Sequence, residues 1–244
     1  MRNFNNFRTF DKNTQYTFFI GKSDKIVGNV MITTESYNGH DFNKLQNLMN
    51  MNIVNSSIQT LPNIFSNQGN LIQLQLDSNP ISSIPDNVFP LNFSSNFWFL
   101  MLRNTTLTTV PTALSKLTNL NRIDFQRHSI QEIHDDDFKH LEKLEMYFTD
   151  NLLQTVSDNA FQDLKSLNLL FLDNTRLTTI PKAVINLPSL FQLTLSNTRI
   201  DCTCENLGWI KDWTRRSDLE IYGSCGNIKM TTGLYISQEL PKCK

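Results

Sequence analysis

Hydrophobic residues return along this chain on a fixed schedule. The clearest instance runs Leu71-Ile-Gln-Leu74-Gln-Leu76-Asp-Ser-Asn79-Pro-Ile81, followed by Ile84-Pro85 and Phe89. Lined up on Leu71, copies begin at Leu48, Phe97, Leu120, Leu144, Leu167 and Leu190, spaced 23 to 26 residues apart. A period of that size marks a stack of like units, each burying its apolar face against its neighbours. Every unit holds two apolar residues two positions apart: Met51 and Ile53, Leu74 and Leu76, Leu100 and Leu102, Ile123 and Phe125, Met146 and Phe148, Leu170 and Leu172, Leu193 and Leu195. Residues two apart share one face of a strand, so stacking the units predicts a parallel sheet. Ile58, Ile81, Leu107, Ile130, Leu153, Leu177 and Ile200 then bring the chain inward again.

The return limbs carry Leu61-Pro62, Ile84-Pro85, Val110-Pro111 and Ile180-Pro181. Proline holds its predecessor extended, so these limbs predict polyproline-like segments or short helical turns rather than long helices. Such limbs are bulkier than strands about 4.8 Å apart, so the stack bends with the sheet on its concave side. The Asn79 position is filled in the other units by Ser56, Thr105, His128, Asn151, Thr175 and Thr198. A polar side chain there satisfies backbone groups at the turn, and His128 reads as a structural histidine rather than a ligand. The Leu144 unit is one residue short in its strand, which predicts a local irregularity.

Both ends depart from the repeat. Residues 1–26 read as an N-terminal cap or degenerate repeat: Tyr16-Thr-Phe-Phe-Ile20 looks like a strand, and Phe4, Phe7 and Phe10 supply apolar surface for an open core edge. A weak unit starts at Val27, with Val30 and Ile32 facing in and Phe42 and Leu45 behind, so the array is taken as 27–200. Residues 201–244 form a different unit. There Leu207, Ile210 and Trp213 fall on one helical face, with Glu205 early and Arg215 and Arg216 late, as the helix dipole favours.

All four cysteines, Cys202, Cys204, Cys225 and Cys243, lie in this last fifth of the chain. An even, clustered set reads as a disulfide framework and an oxidising compartment. The alternative, a zinc site, lacks paired C-x2-C knuckles and a nearby histidine. Met1–Phe7 holds no apolar stretch of signal-peptide length, so the sequence is expected to be a mature region, or an incomplete chain whose signal is missing. A net charge of −1 gives no electrostatic basis for a nucleic-acid or anionic-membrane partner, and no run of about 18 apolar residues predicts a membrane span.

Repeats followed by C-x-C, a tryptophan-containing helix and two more cysteines resemble the extracellular leucine-rich repeat family with a cysteine-rich C-terminal cap. Toll, Slit and the lamprey lymphocyte receptors are similar in this respect. The resemblance covers residues 48 to 243. It implies an α/β solenoid, a leucine-rich repeat horseshoe with a concave parallel β-sheet, an irregular or short-helical convex side and a disulfide-bonded C-terminal cap. It also implies the pairings Cys202–Cys225 and Cys204–Cys243. A Cys202–Cys204 bridge would close a very tight loop. The family's cysteine-rich N-terminal cap has no counterpart in this sequence.

Catalytic chemistry is hard to find. No Ser-His-Asp order or glycine-rich phosphate loop stands out, and no cofactor is implied. His134-Asp135-Asp136-Asp137 with His140 is the nearest approach to a metal cluster, but a return limb is ordinarily an acidic, solvated surface, and no metal is assigned. Trp209 and Trp213 read as cap core. Three sequons, at Asn55, Asn92 and Asn104, favour a secreted glycoprotein.

The expected function is therefore a non-enzymatic, extracellular recognition module for a protein or glycan ligand. The alternative is a structural component of an extracellular matrix, or a non-catalytic subunit of a secreted complex. Positions alternating with the core pairs line the concave face. A sheet facing water should be polar there, as Asn50, Asn52 and Gln75 are. Trp98, Phe99, Met101, Tyr147 and Phe171 instead place apolar area on the solvent side, with Arg103, Arg122 and Asp124 among them. Exposed apolar patches rimmed by charge mark interaction sites, and Trp, Tyr and Arg are the usual anchors. These eight residues are the expected ligand-binding site. The competing expectation is that an N-terminal segment, or the insertion implied by the long Leu71–Phe97 spacing, folds over them.

Overall fold

The computed structural model describes residues 16–20, 30–31, 48–55, 58–61, 65, 68–91, 93, 95–213 and 219–243, with backbone alone for 16–20, 30–31 and Asp212. Each unit contributes one short strand to a ten-stranded sheet. The strands are β1 (Tyr16–Ile20), β2 (Val30–Met31), β3 (Leu48–Ile53), β4 (Gln73–Gln75), β5 (Phe99–Met101), β6 (Arg122–Asp124), β8 (Glu145–Tyr147), β10 (Leu169–Phe171), β11 (Gln192–Leu195) and β12 (Glu220–Gly223). β7 (Glu132–Ile133) and β9 (Thr155–Val156) form a separate two-stranded ladder on the return side. From β3 to β12 the sheet follows chain order and every pairing is parallel. The core pairs meet in register, Met51 on Leu74, Leu74 on Leu100, Leu100 on Ile123, Ile123 on Met146 and Leu170 on Leu193.

The repeated apolar positions are the core. Leu74, Leu76, Leu100, Leu102, Ile123, Phe125, Leu170 and Leu172 are fully buried, as are the residues that turn back, Ile81, Ile130, Leu153 and Ile200. Val110-Pro111 and Ile180-Pro181 lead into 3-10 turns at Thr112–Lys116 and Lys182–Asn186. The two limbs without proline, Gln131–His134 and Gln154–Ser157, behave differently. Their N–H groups are free to donate, and they pair as β7 and β9.

The polar column at the turn divides by side-chain reach. Asn79 Nδ2 donates to the Leu76 carbonyl of its own unit and the Ile53 carbonyl of the unit before; Asn151 repeats this with Phe148 and Phe125. Thr175 and Thr198 are too short to cross and bond only Leu172 and Leu195 in their own units. His128 is buried, 3.1 Å from the Thr105 hydroxyl. Burial lowers its imidazole to about 4, against the pull of the Leu102 backbone, which favours the charged ring. The residue just before this column is left-handed in each unit: Asn55, Ser78, Asn104, Arg127, Asp150, Asn174 and Asn197. Asn and Asp tolerate that conformation best, and they hold five of those seven places.

The local irregularity expected at the Leu144 unit is present, and three other features differ from the sequence reading. β8 pairs with β10 at two positions, Met146 on Leu170 and Tyr147 on Phe171, where its other neighbour pairs at three. At the strand entrance Glu145 alone donates to Asn121, whereas Asn121 and Arg122 both converge on Trp98 in the unit before. The described extra residues between Leu71 and Phe97 go to the return limb, where Phe93 is buried against Phe89 and Phe97, and not to the concave face. At the N-terminal edge the order is β3-β1-β2, so Tyr16–Ile20 flanks β3 and Val30–Met31 lies beyond it, an exchange of the order expected. Phe4, Phe7, Phe10, Val27, Ile32, Phe42 and Leu45 lie outside the described residues.

The third difference is the C-terminal unit. The expected single helix is two short ones, α1 (Cys204–Leu207) and α2 (Ile210–Trp213), interrupted at Gly208-Trp209. Gly208 packs so closely on the Cys204 carbonyl that a Cβ would stand 2.5 Å from its oxygen. Leu207 and Ile210 are still buried, and Arg215 and Arg216 lie outside the described residues. The sheet also continues into this unit through β12, on which α3 (Thr232–Gln238) packs. Disulfides join Cys202 to Cys225 and Cys204 to Cys243.

Candidate functional site

The strands set the concave face by alternation: with Leu74, Leu100, Ile123, Met146 and Leu170 turned inward, the residues on either side turn to solvent. Because the pairing is in register, those outward residues stack in columns. Two columns meet between β5 and β10. The Arg122 guanidinium carbon lies 5.1 Å from the centre of the Phe99 ring and 4.8 Å from that of Tyr147. Tyr147 in turn stacks on Phe171 at 5.2 Å, with the planes 11° apart. Trp98 adds its ring 5.5 Å from Phe99 at the strand entrance and is 44% exposed. The result is a ladder of alternating aromatic and cationic groups, Trp98–Phe99–Arg122–Tyr147–Phe171, half-buried along its length and open at Trp98.

Each contact in this ladder has a separate physical basis. A guanidinium over an aromatic face is attracted by the ring quadrupole, about 0.5–2 kcal/mol per contact depending on desolvation. Offset aromatic stacking contributes about 0.5–1.5 kcal/mol beyond burial. The side chains are therefore held in place before any partner arrives.

The remaining expected site residues form a second group. Arg103 donates through Nε to Asp124 Oδ2 at 2.5 Å, and Asp124 Oδ1 accepts the Gln126 N–H. Asp124 is buried and holds Arg103, while the Arg103 guanidinium is half exposed. Asp77 accepts the Arg103 N–H from the preceding unit. Met101 stands between the two groups, pairing across the ladder with Gln75 and Asp124. The structure thus brings seven of the eight residues to one solvent-facing area, with Asp124 beneath it.

Two exposed aromatics were missed by sequence reasoning. Phe191 is 42% exposed and occupies the strand-entrance position that Trp98 occupies in its own unit. The signal was present, since Leu190-Phe-Gln-Leu193 aligns with Phe97-Trp-Phe-Leu100. Tyr222, 48% exposed, lies on β12, a strand the periodicity does not announce.

The other candidates resolve into local structure. Asp137 accepts the His134 N–H, Asp135 accepts that of Asn159 and Asp163 that of His140, so the His134–His140 segment ties return turns together. Burial raises the Asp137 carboxyl above its ordinary range, against the His134 contacts that lower it. Among the described residues no three His, Cys, Asp or Glu side chains converge as a metal site. Trp209 and Trp213 pack against the core and each other, with ring centres 6.1 Å apart. Of the sequon asparagines, Asn55 and Asn104 are exposed in the left-handed column, and Asn92 lies outside the described residues.

Comparison with known proteins agrees with this architecture. A leucine rich repeat family model matches residues 145–200, and a model for the BspA type leucine rich repeat region matches 29–109. Among solved structures, internalin C2 from Listeria monocytogenes superposes with a TM-score of 0.58 at 20% identity, covering 75% of this chain and 74% of that one. That identity supports likeness of fold alone. No curated protein sequence matches the chain.

Proposed function

Taking as premise that the chain is a leucine-rich repeat protein, we propose that it is an extracellular recognition module whose concave sheet binds a protein partner. The observation that carries this reading is the pre-stacked ladder Trp98–Phe99–Arg122–Tyr147–Phe171. Rigid aromatic side chains, and an arginine already held against two rings, lose little entropy on docking, and Trp, Tyr and Arg are the usual anchors of protein interfaces. Arg103, oriented by Asp124, supplies a directional cation at the edge of the ladder. The extracellular assignment draws on the two disulfides, which persist in oxidising compartments. The cap's cysteine order keeps the resemblance to the Toll and Slit type of module in view, and the exposed Asn55 and Asn104 sequons suit a glycoprotein.

Site-specific crosslinking tests the proposal. A photoreactive residue at Trp98 or Met101 is expected to yield one discrete adduct from extracellular fluid, and the adduct from position 101 is expected to disappear in Phe171→Ala. The same probe at Thr118, at the far end of a return limb, is expected to give none. An adduct formed only from position 118 would place recognition on the return-limb side.

A further inference from the structure

A second surface, away from the aromatic ladder, carries a different chemistry. A pocket of about 870 Å³ opens on the flank of the stack, where the last coils of the array have turned out of the sheet. It is lined by Gln154 and Thr155 of one coil, Asn174, Arg176 and Thr178 of the next, and Asn197 and Arg199 of the third. Arg176 and Arg199 hold the same place in successive coils, one residue after Thr175 and Thr198. Their backbone N–H groups donate to the Leu153 and Leu177 carbonyls, which fixes the main chain of both residues at the pocket wall.

Two exposed like charges thus stand one coil apart, and an anion between them would be attracted by both. The neighbouring carboxylates do not supply one. Asp150 accepts from Asn174 and stands 3.6 Å from Arg127; Asp173 accepts from Thr194 and the Ser196 N–H; Asp201 accepts from Asn206. Among the described residues neither guanidinium has an ion pair or a side-chain hydrogen bond. The walls around them are amides and hydroxyls rather than apolar groups. Asn197 donates to Asn174, and Asn174 to Asp150, so this amide row is held in place, whereas the side chains of Gln154, Thr155 and Thr178 have no partner among the described residues.

We propose that this pocket binds a sugar bearing a sulfate or phosphate ester. The two guanidiniums grip the tetrahedral oxyanion, which their planar forks match, and the amide and hydroxyl wall meets the sugar hydroxyls. The site is separate from the concave face, so the two readings stand or fall independently.

The test is calorimetric titration of the full chain with four probes: a heparin-derived hexasaccharide, a phosphorylated oligomannose, the same oligomannose without phosphate, and inorganic sulfate. The expected result is saturable binding of at least one ester and none of the neutral sugar, and whichever ester binds more tightly identifies the source. Arg176→Gln/Arg199→Gln is expected to weaken that binding at least tenfold and to flatten its salt dependence. Lys139→Gln/Lys165→Gln removes the same net charge elsewhere and is expected to leave it unchanged, with equal melting temperatures for all three proteins. The proposal is overturned if neither ester binds, if the lysine variant loses as much as the arginine variant, or if inorganic sulfate binds as tightly as the hexasaccharide.

Discussion

His128 makes the fold sensitive to acid, and the size of the effect follows from its burial. The imidazole is held at about 4 in the folded chain against an ordinary value of 6.5. Between those values the unfolded chain binds a proton that the folded chain refuses, so stability falls as pH drops from 6.5 towards 4 and is unaffected above that window. The difference, about 2.5 pH units at roughly 1.4 kcal/mol each, amounts to about 3 kcal/mol. Asparagine does not titrate and, at the equivalent positions 79 and 151, bonds the carbonyls of its own unit and the one before. His128→Asn is therefore expected to match or exceed the parent at pH 7 and to surpass it by about 3 kcal/mol more at pH 4. The assay is urea unfolding of both proteins, disulfides intact, followed by far-ultraviolet circular dichroism at pH 7, 6, 5 and 4. The raised Asp137 carboxyl works in the opposite sense but is common to both proteins and cancels in the difference. Parallel stability curves would mean that the His128 ring is solvated, and the burial argument would fail.

Three further outcomes are expected. Leu172→Ala removes a fully buried side chain flanked by coils on both sides and should cost about 2–5 kcal/mol, whereas Phe171→Ala, on the solvent face, should cost about 1 kcal/mol; equal losses in denaturant would contradict the strand register. Gly223 has φ of +138° and would place a Cβ 2.8 Å from the Leu195 carbonyl oxygen, so Gly223→Ala should lower stability by at least about 1–3 kcal/mol, with hydrogen exchange rising first in β12. Replacing Cys204 and Cys243 together by serine opens a loop of 39 residues' separation and should cost about 3–4 kcal/mol on the chain-entropy model; an unchanged denaturation midpoint would contradict it.

The array was legible because its signal is redundant: seven units state the same apolar spacing, and no single exception hides it. The disulfide pairing was available only through resemblance, since nothing in the spacing of Cys202, Cys204, Cys225 and Cys243 singles out one connectivity. The candidate site was partly legible. Alternation alone places Phe99, Tyr147 and Phe171 outside, but the insertion of Arg122 between two rings depends on pairing register, which one strand cannot reveal. That Asp124 lies beneath the surface of the expected site, bonded to Arg103 and the Gln126 N–H, is likewise not legible from strand alternation, which places it on the outer side. β12 was missed because Glu220–Gly223 stands outside the period and has a single apolar inward residue, Ile221.

The placement of both covalent crosslinks in the last coil gives the molecule a direction. A stack in which each coil touches only its neighbours melts from its ends, coil by coil, unless an end is pinned. Here one coil is stapled by two bonds that denaturant cannot break, so a melting front is slower to start there than elsewhere in the stack. The stapled coil survives each excursion as a template, and recovery is a zippering outward from a fixed seed rather than a search for a new nucleus. Repeated loading and release from the opposite terminus should therefore trace nearly the same path in both directions, and reducing agent should erase that reversibility before it erases the fold.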